Sequence, residues 1–289
     1  MSLLHAVILA IVQGLAELLP VSSSAHVIVA EELMGLDPAT PEMTLLLVML
    51  HTGTMFAVIV YFWPRWRKAF FQSATDFKRF ATTLILATVL TGLVGGGLIE
   101  AIEKLLFRNQ PQAWIEQLFG RLDLIAPALA AVGVLILIAG VLERRSRATE
   151  SGETSGMTLK QASLIGTVQG LVLPFRGFSR SGATISVGML SGVSRVLSED
   201  FSFALAVALT PPAIARELWR LIRMQHIHQG AALASALMPS ILGAFCSFLA
   251  GLLALKWLSR WLETGRWYLF GIYCLAASCV VAYLYHAGY

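Results

Sequence analysis

Ten apolar runs divide the chain, and their unequal lengths constrain its fold more than any other feature. They extend over Leu3 to Leu19, Ala25 to Leu36, Thr44 to Trp63, Thr82 to Ile99, Leu124 to Leu142, Gln161 to Leu173, Ala183 to Val193, Phe201 to Leu221, Ser235 to Leu258 and Trp267 to Tyr285. A helix needs about twenty residues to cross the hydrocarbon of a bilayer. Four runs fall short, and they come as two pairs, one around "PVSSSAH" at 20–26 and one around "PFRGFSRSGAT" at 174–184. Short paired half-helices joined by Pro, Gly and Ser predict re-entrant hairpins, which are tolerated in a membrane only where their exposed backbone lines a cavity.

With 57% hydrophobic and 13% charged residues, the chain is too apolar for an ordinary soluble domain of 289 residues. It reads as one all-α polytopic membrane domain over 1–289, with no separable soluble module. The net charge of +4 comes from Lys and Arg dispersed among the polar links without an aromatic-basic stripe. That pattern sets topology rather than binding nucleic acid. Cys246, Cys274 and Cys279 lie inside apolar runs and read as buried small side chains. The first basic residue is Arg65, so a cleavable signal with a positive start is not expected.

The two hairpins resemble each other. "VQGL" occurs at Val12 to Leu15 and again at Val168 to Leu171, and Ser23 and Ser179 each stand eleven positions after the Val. "EMTLLLVMLHTGT" from Glu42 and "DFSFALAVALTPP" from Asp200 follow at similar offsets. Each half, about 1–143 and about 158–289, is then one re-entrant hairpin plus three spanning helices. Three crossings are an odd number, so the second half enters from the opposite face. That makes an inverted-topology repeat, with a site expected near the midplane where the hairpin tips meet. One face receives Arg65, Arg67, Lys68, Lys78, Arg79, Arg144, Arg145, Arg147, Lys160, Arg195 and Arg260, and the other Lys104, Arg108, Arg121 and Arg223. The excess marks the first face as cytoplasmic and places both termini outside.

Glu17, His26, Arg176 and Arg180 are the charged or titratable residues that this map leaves at membrane depth, with Gln13, Ser22, Ser23, Ser24, Ser179, Ser181 and Thr184 beside them. A central Arg or Glu costs about 2.5–3.5 kcal/mol on insertion scales, so each implies a partner or a polar cavity. A lone ion pair between Glu17 and Arg180 would explain neither the hydroxyls nor His26. The turns "PVSSSAH" and "GFSRSGAT" each lead into a half-helix, whose start is an anion site. Small residues at 179 and 181–183 let backbone approach a phosphate, and Arg180 can grip it with two parallel hydrogen bonds. The first hairpin supplies Glu17 and His26, which suit acid, base or nucleophile roles. A diphosphate hydrolase needs both sets.

"QGLAELLPVSSSAH" and "GFSRSGATIS" together resemble the paired signatures of the bacterial undecaprenyl-diphosphate phosphatase family, also called bacitracin-resistance proteins, and "SGVSR" and "DFSFALAV" extend the likeness through nearly the whole chain. The resemblance implies hydrolysis of the C55 lipid diphosphate to its monophosphate and inorganic phosphate, recycling the carrier for cell-wall precursors. It further implies a multi-pass protein of the bacterial inner membrane, an outward-facing site and a divalent cation, Mg2+ or Ca2+. By motif position, Glu17 is the essential carboxylate and a candidate metal ligand, and Gln13 takes the alternative Glu/Gln position. Ser23 and His26 are the candidate nucleophile and its partner, with Ser22 and Ser24 beside them as substrate contacts. Ser179, Arg180, Ser181 and Thr184 are the phosphate-binding set. The sequence departs from the family at "PFRG", where Pro174 precedes Gly177 by three residues instead of adjoining it. Arg176 is thereby added, as a second phosphate contact or an interfacial anchor.

His51, in "LHTGT", lines the cavity or is a packing histidine; the two readings weigh equally. His226 and His228 are too sparse for a metal site. Pro211 and Pro212 predict a kink or break, and Trp63, Trp66, Trp257, Trp261 and Trp267 an aromatic belt. The rival reading is an inverted-repeat transporter or flippase for an anionic lipid or organic anion, since fold alone does not separate the two. Whether Ser23, His26 or a water attacks, and whether the protein forms a homodimer, stay open at this level.

Overall fold

The computed structural model describes residues 2–37, 40–106, 118, 120–146, 156–225, 231–263 and 266–288, of which 145–146, 220–225, 231–236 and 259–263 are described by backbone alone. Among the described residues the protein is all-helical: α1 Leu3–Leu18, α2 Ser23–Leu33, α3 Pro41–Phe70, α4 Ala74–Leu106, α5 Leu122–Ser146, α6 Leu159–Val172, α7 Arg180–Leu190, α8 Arg195–Gln225, α9 Ala231–Glu263 and α10 Tyr268–Ala287. Every apolar run became a helix. Six of them are long and apolar enough to cross a membrane, over Pro41–Phe70, Ala74–Leu106, Leu122–Arg144, Arg195–Trp219, Leu237–Leu258 and Tyr268–Ala287. The chain is a multi-pass membrane protein. Helices α1, α2, α6 and α7, at 16, 11, 14 and 11 residues, are the short ones, as their runs predict.

The helices overrun the apolar stretches. Helix α3 passes through Pro64 to Phe70, so Arg65, Arg67 and Lys68 ride on its last turns, and Lys78 and Arg79 lie on α4 rather than in a loop. Proline removes one N–H but does not stop a helix whose neighbouring turns are packed. Helix α8 likewise continues through Pro211 and Pro212. Arg195 is no loop residue; it starts α8 and is buried. Arg108, Arg147, His226 and His228 lie outside the described residues.

Packing separates two compact units. One comprises Met1–Leu19, Ser23–Trp63 and Ala206–Ser259, the other Pro20–Ser22, Pro64–Leu205 and Arg260–Tyr289, so each draws on both halves of the chain. In the first unit Leu9 and Ala10 of α1, Val27 of α2, and Leu46 and Leu50 of α3 form a buried apolar cluster. Gly14 lets α1 lie almost backbone to backbone on α9: a Cβ there would stand 2.6 Å from Ala250 Cβ and 2.7 Å from Ser247 O. In membrane bundles such small-residue approaches do the work that apolar burial does in water.

In the second unit α5 packs on α10 and α7, and α6 on α4 and α7. Gly170, the glycine of the second "VQGL", repeats the role of Gly14, since a Cβ there would meet Val94 Cβ at 2.8 Å and Gly95 N at 2.9 Å on α4. The expected aromatic belt needs correcting. Trp63 and Trp257 are exposed, but Trp267 is fully buried with its Nε1–H donated to Ser186 Oγ at 3.1 Å, and buried Trp66 donates to Asp200 O at 3.2 Å. An indole is placed inside when its N–H finds an acceptor there. Cys274 is buried, whereas Cys279 is exposed. A network of buried charge also sits in this unit: Arg65 Nη2 is 3.0 Å from Asp200 Oδ1 and 3.4 Å from Glu199 Oε2, and Arg195 Nη1 is 3.4 Å from Glu143 Oε1. Sequence reasoning assigned these arginines to solvated links; instead Arg195 is buried and Arg65 half-buried, each paired with acids distant in the chain.

Candidate active site

Helix α1 carries Gln13 and Glu17 four residues apart on one face. The link after Leu18 turns the chain at Ser22, which is buried and holds a left-handed backbone at φ 67, the only non-glycine with positive φ among the described residues. For serine that conformation is disfavoured and marks a position over-determined by its surroundings. It delivers Ser23 as the first residue of α2, where its hydroxyl donates a hydrogen bond to Glu17 Oε2. Gln13 Nε2 donates to the same oxygen at 3.2 Å.

A third group meets that oxygen. His51 Nε2, from α3, lies 4.0 Å from Glu17 Oε2. Its Nδ1 is 2.8 Å from Leu47 O, and because a carbonyl only accepts, Nδ1 carries a proton and Nε2 is the nitrogen turned to the carboxylate. Read from the sequence alone, His51 is as readily a packing residue as a functional one. The signal that could have found it is the helical register of "LHTGT", but which face of α3 meets α1 is a tertiary fact. His26 stands on α2 three residues after Ser23, half-buried, on the same side of the first turn. Ser24 lies between them.

The second set forms around the start of α7. Ser179 is the N-cap, accepting the Gly182 N–H at 3.1 Å, and its Oγ is 3.4 Å from Ser181 Oγ. Thr184 is completely buried; its hydroxyl donates to Arg180 O at 2.9 Å, and Ser202 Oγ of α8 lies 2.5 Å away. Arg180 is the first helical residue and half-buried. Small hydroxyl residues, converging backbone dipoles and a guanidinium are what an anion requires.

The departure at "PFRG" resolves into a tight turn. Phe178 N–H bonds to Phe175 O at 3.1 Å, and Gly177 in the third position has φ 91, the conformation for which such turns select glycine. Its Cβ would also collide with Ile125 O at 2.7 Å. Arg176 is the second residue of that turn and half-buried.

Glu17, Ser23 and the Gln13 amide present oxygen donors of the hard type that Mg2+ and Ca2+ prefer. Among the described residues no group of three or more His, Cys, Asp or Glu is placed to enclose a metal. The donor set therefore fits a cation held by one carboxylate and completed by substrate oxygens rather than a protein-built cage.

Known proteins of similar sequence identify the family. The chain is 58% identical over 284 residues to undecaprenyl-diphosphatase 2 of Acinetobacter baylyi, covering 97% of each protein. It is 35% identical to undecaprenyl-diphosphatase 1 of Burkholderia pseudomallei over 99% of each, and 34% identical to an undecaprenyl-diphosphatase of Anaeromyxobacter sp. over 100% of this chain and 90% of that one. The model of the family described as bacitracin resistance protein BacA matches residues 6–280, and the chain belongs to that family.

Proposed function

We propose that this protein is a membrane phosphatase that hydrolyses undecaprenyl diphosphate to undecaprenyl phosphate and inorganic phosphate. The observation that carries the reading is the Ser23 hydroxyl donated to the Glu17 carboxylate, a nucleophile bonded to its base, in a chain whose relatives are named for this reaction. In this mechanism Ser23 Oγ forms a bond to the terminal phosphorus as its proton passes to Glu17. The anhydride P–O bond breaks, its electrons leave with undecaprenyl phosphate, and Glu17 passes its proton to that leaving group. The freed carboxylate then takes a proton from water as the water oxygen attacks phosphorus; the bond to Ser23 Oγ breaks, Oγ recovers the proton from Glu17, and inorganic phosphate departs. Gln13 and His51 orient the carboxylate, and His26 serves Ser23 from the same helix turn. Ser179, Arg180, Ser181 and Thr184 hold phosphoryl oxygens, with Ser22 and Ser24 flanking the nucleophile and Arg176 anchoring the second turn. A divalent cation held by Glu17 would neutralise diphosphate charge.

The architecture we propose is the inverted repeat with two re-entrant hairpins, set in the inner membrane with both termini and the reacting groups facing outward. Three likenesses support it. Each half contributes one pair of short helices, the glycine of each "VQGL" lies on a long helix from the other half, and α2 and α7 end in the same way, Leu36 N–H to Glu31 O and Val193 N–H to Gly188 O, each at 3.0 Å. The orientation rests on the basic excess at the α3–α4 side. In a background without native cysteines, a cysteine at Ser73, exposed between α3 and α4, should resist an impermeant thiol reagent in intact cells, while one at Gly288 should react. Labelling at Ser73 from outside would overturn the assignment.

Phosphate release from a C55 prenyl diphosphate by the detergent-purified protein tests the function itself. Transport of an intact anionic lipid without phosphate release would restore the transporter reading, which the comparisons do not support.

A further inference from the structure

"VQGL" places Gln13 and Gln169 at the same point of the two short-helix pairs, yet their partners differ. Four residues beyond Gln13 stands Glu17, which accepts its amide; four beyond Gln169 stands Leu173. Gln169 is only 1% exposed, and neither its Nε2 nor its Oε1 has a hydrogen-bond partner among the described residues. A fully buried carboxamide without partners is costly and uncommon, and points to a group that the chain itself does not supply.

The helix register shows where that group would be. Helices α6 and α7 pack together and are joined by residues 173–179, so they run antiparallel. Ile165 Cδ1 lies 3.4 Å from where a Cβ on Gly188 would stand, so this side of α6 meets α7. Gln169 is one turn further along the same face, nearer the link. It therefore stands opposite the α7 turn four residues before Gly188, that of Thr184 and Ser181, directly behind the Ser179–Arg180 start.

We propose that Gln169 is a substrate-binding residue: its amide N–H groups donate to a phosphoryl oxygen held at the start of α7, while its counterpart Gln13 serves the reacting carboxylate. The assignment rests on the reading of that helix start as the phosphate site. Leucine at 173 keeps the amide from being consumed by an internal carboxylate, so that its donors are available to an anion.

The test uses the full-length protein in detergent, with inorganic pyrophosphate binding followed by calorimetry, KM for a prenyl diphosphate, and thermal unfolding. Gln169→Met keeps the shape and removes the donors; Gln169→Glu keeps the shape and adds charge. The Met variant should bind pyrophosphate about tenfold more weakly and raise KM similarly, with an unchanged or higher melting temperature because an unsatisfied buried amide is gone. The Glu variant should bind more weakly still. Unchanged affinity in both variants overturns the proposal, whether melting rises, as for an amide that holds only water, or falls, as for a structural one. A parent that binds pyrophosphate in a Gln169-dependent way but releases no phosphate from lipid diphosphate leaves this inference standing while the phosphatase reading fails.

Discussion

Gln13 donates to a carboxylate one turn along α1, whereas Gln169, at the same place in α6, has Leu173 in that position. From this exchange the two hairpins diverge. In the first, Glu17 gathers Gln13, Ser23 and His51 onto one oxygen, an arrangement that can accept a proton. In the second, the serine at the equivalent offset has become an N-cap, and the next residue is Arg180. In the proposed mechanism the first pair of short helices thus carries the general base and the second the anion-binding groups. Packing is kept in both, through Gly14 on α9 and Gly170 on α4. Side chains that face a site can change without disturbing the helix contacts that hold the backbone.

The largest effect should come from taking the base out of the first hairpin. Glu17→Gln preserves shape and can still accept the Ser23 proton in a hydrogen bond, but it cannot remove it; kcat should fall about 1,000-fold with KM little changed, measured as phosphate release. Ser23→Ala should match it, because base and nucleophile act as a unit. Full turnover in Glu17→Gln would remove the chemical difference between the hairpins.

Arg180→Lys tests the second hairpin. An ammonium keeps the charge but not the planar two-bond grip, and kcat/KM should drop about 100-fold with normal membrane insertion. Activity close to the parent's would make Arg180 a structural residue.

The histidines sharpen the first hairpin further. His51→Leu should lower kcat about tenfold at constant KM by releasing one of the groups that orient Glu17. His26→Ala separates roles: a histidine that assists Ser23 leaves measurable catalysis, whereas a histidine nucleophile leaves almost none and gives the parent an acid-labile phosphoenzyme in place of a phosphoserine.

The smallest expected effect is on stability and should be symmetric. Gly14→Ala and Gly170→Ala each force a Cβ into a space under 3.0 Å from a neighbouring helix, and should cost about 1–3 kcal/mol apiece, read as a lower melting temperature in detergent. An effect at only one of them would weaken the duplicated-packing account.

The lengths of the apolar runs, their pairing around Ser-rich turns and the repeated "VQGL" determined by themselves that the protein is helical, multi-pass and built on two short-helix pairs. Those features depend on local composition and bilayer thickness, which a sequence displays directly. Gln13 and Glu17 were legible for the same reason, since residues four apart share a helix face. His51 beside Glu17, the buried Trp66 and Trp267, and the acids that pair with Arg65 and Arg195 were decided only by the tertiary structure. Each depends on which faces of distant helices meet, and hydrophobic periodicity carries no record of the partner. The unpartnered amide of Gln169 belongs to the same class: the sequence shows a leucine at 173 where the first pair has a carboxylate, but only packing shows that no group in the described chain hydrogen-bonds the amide.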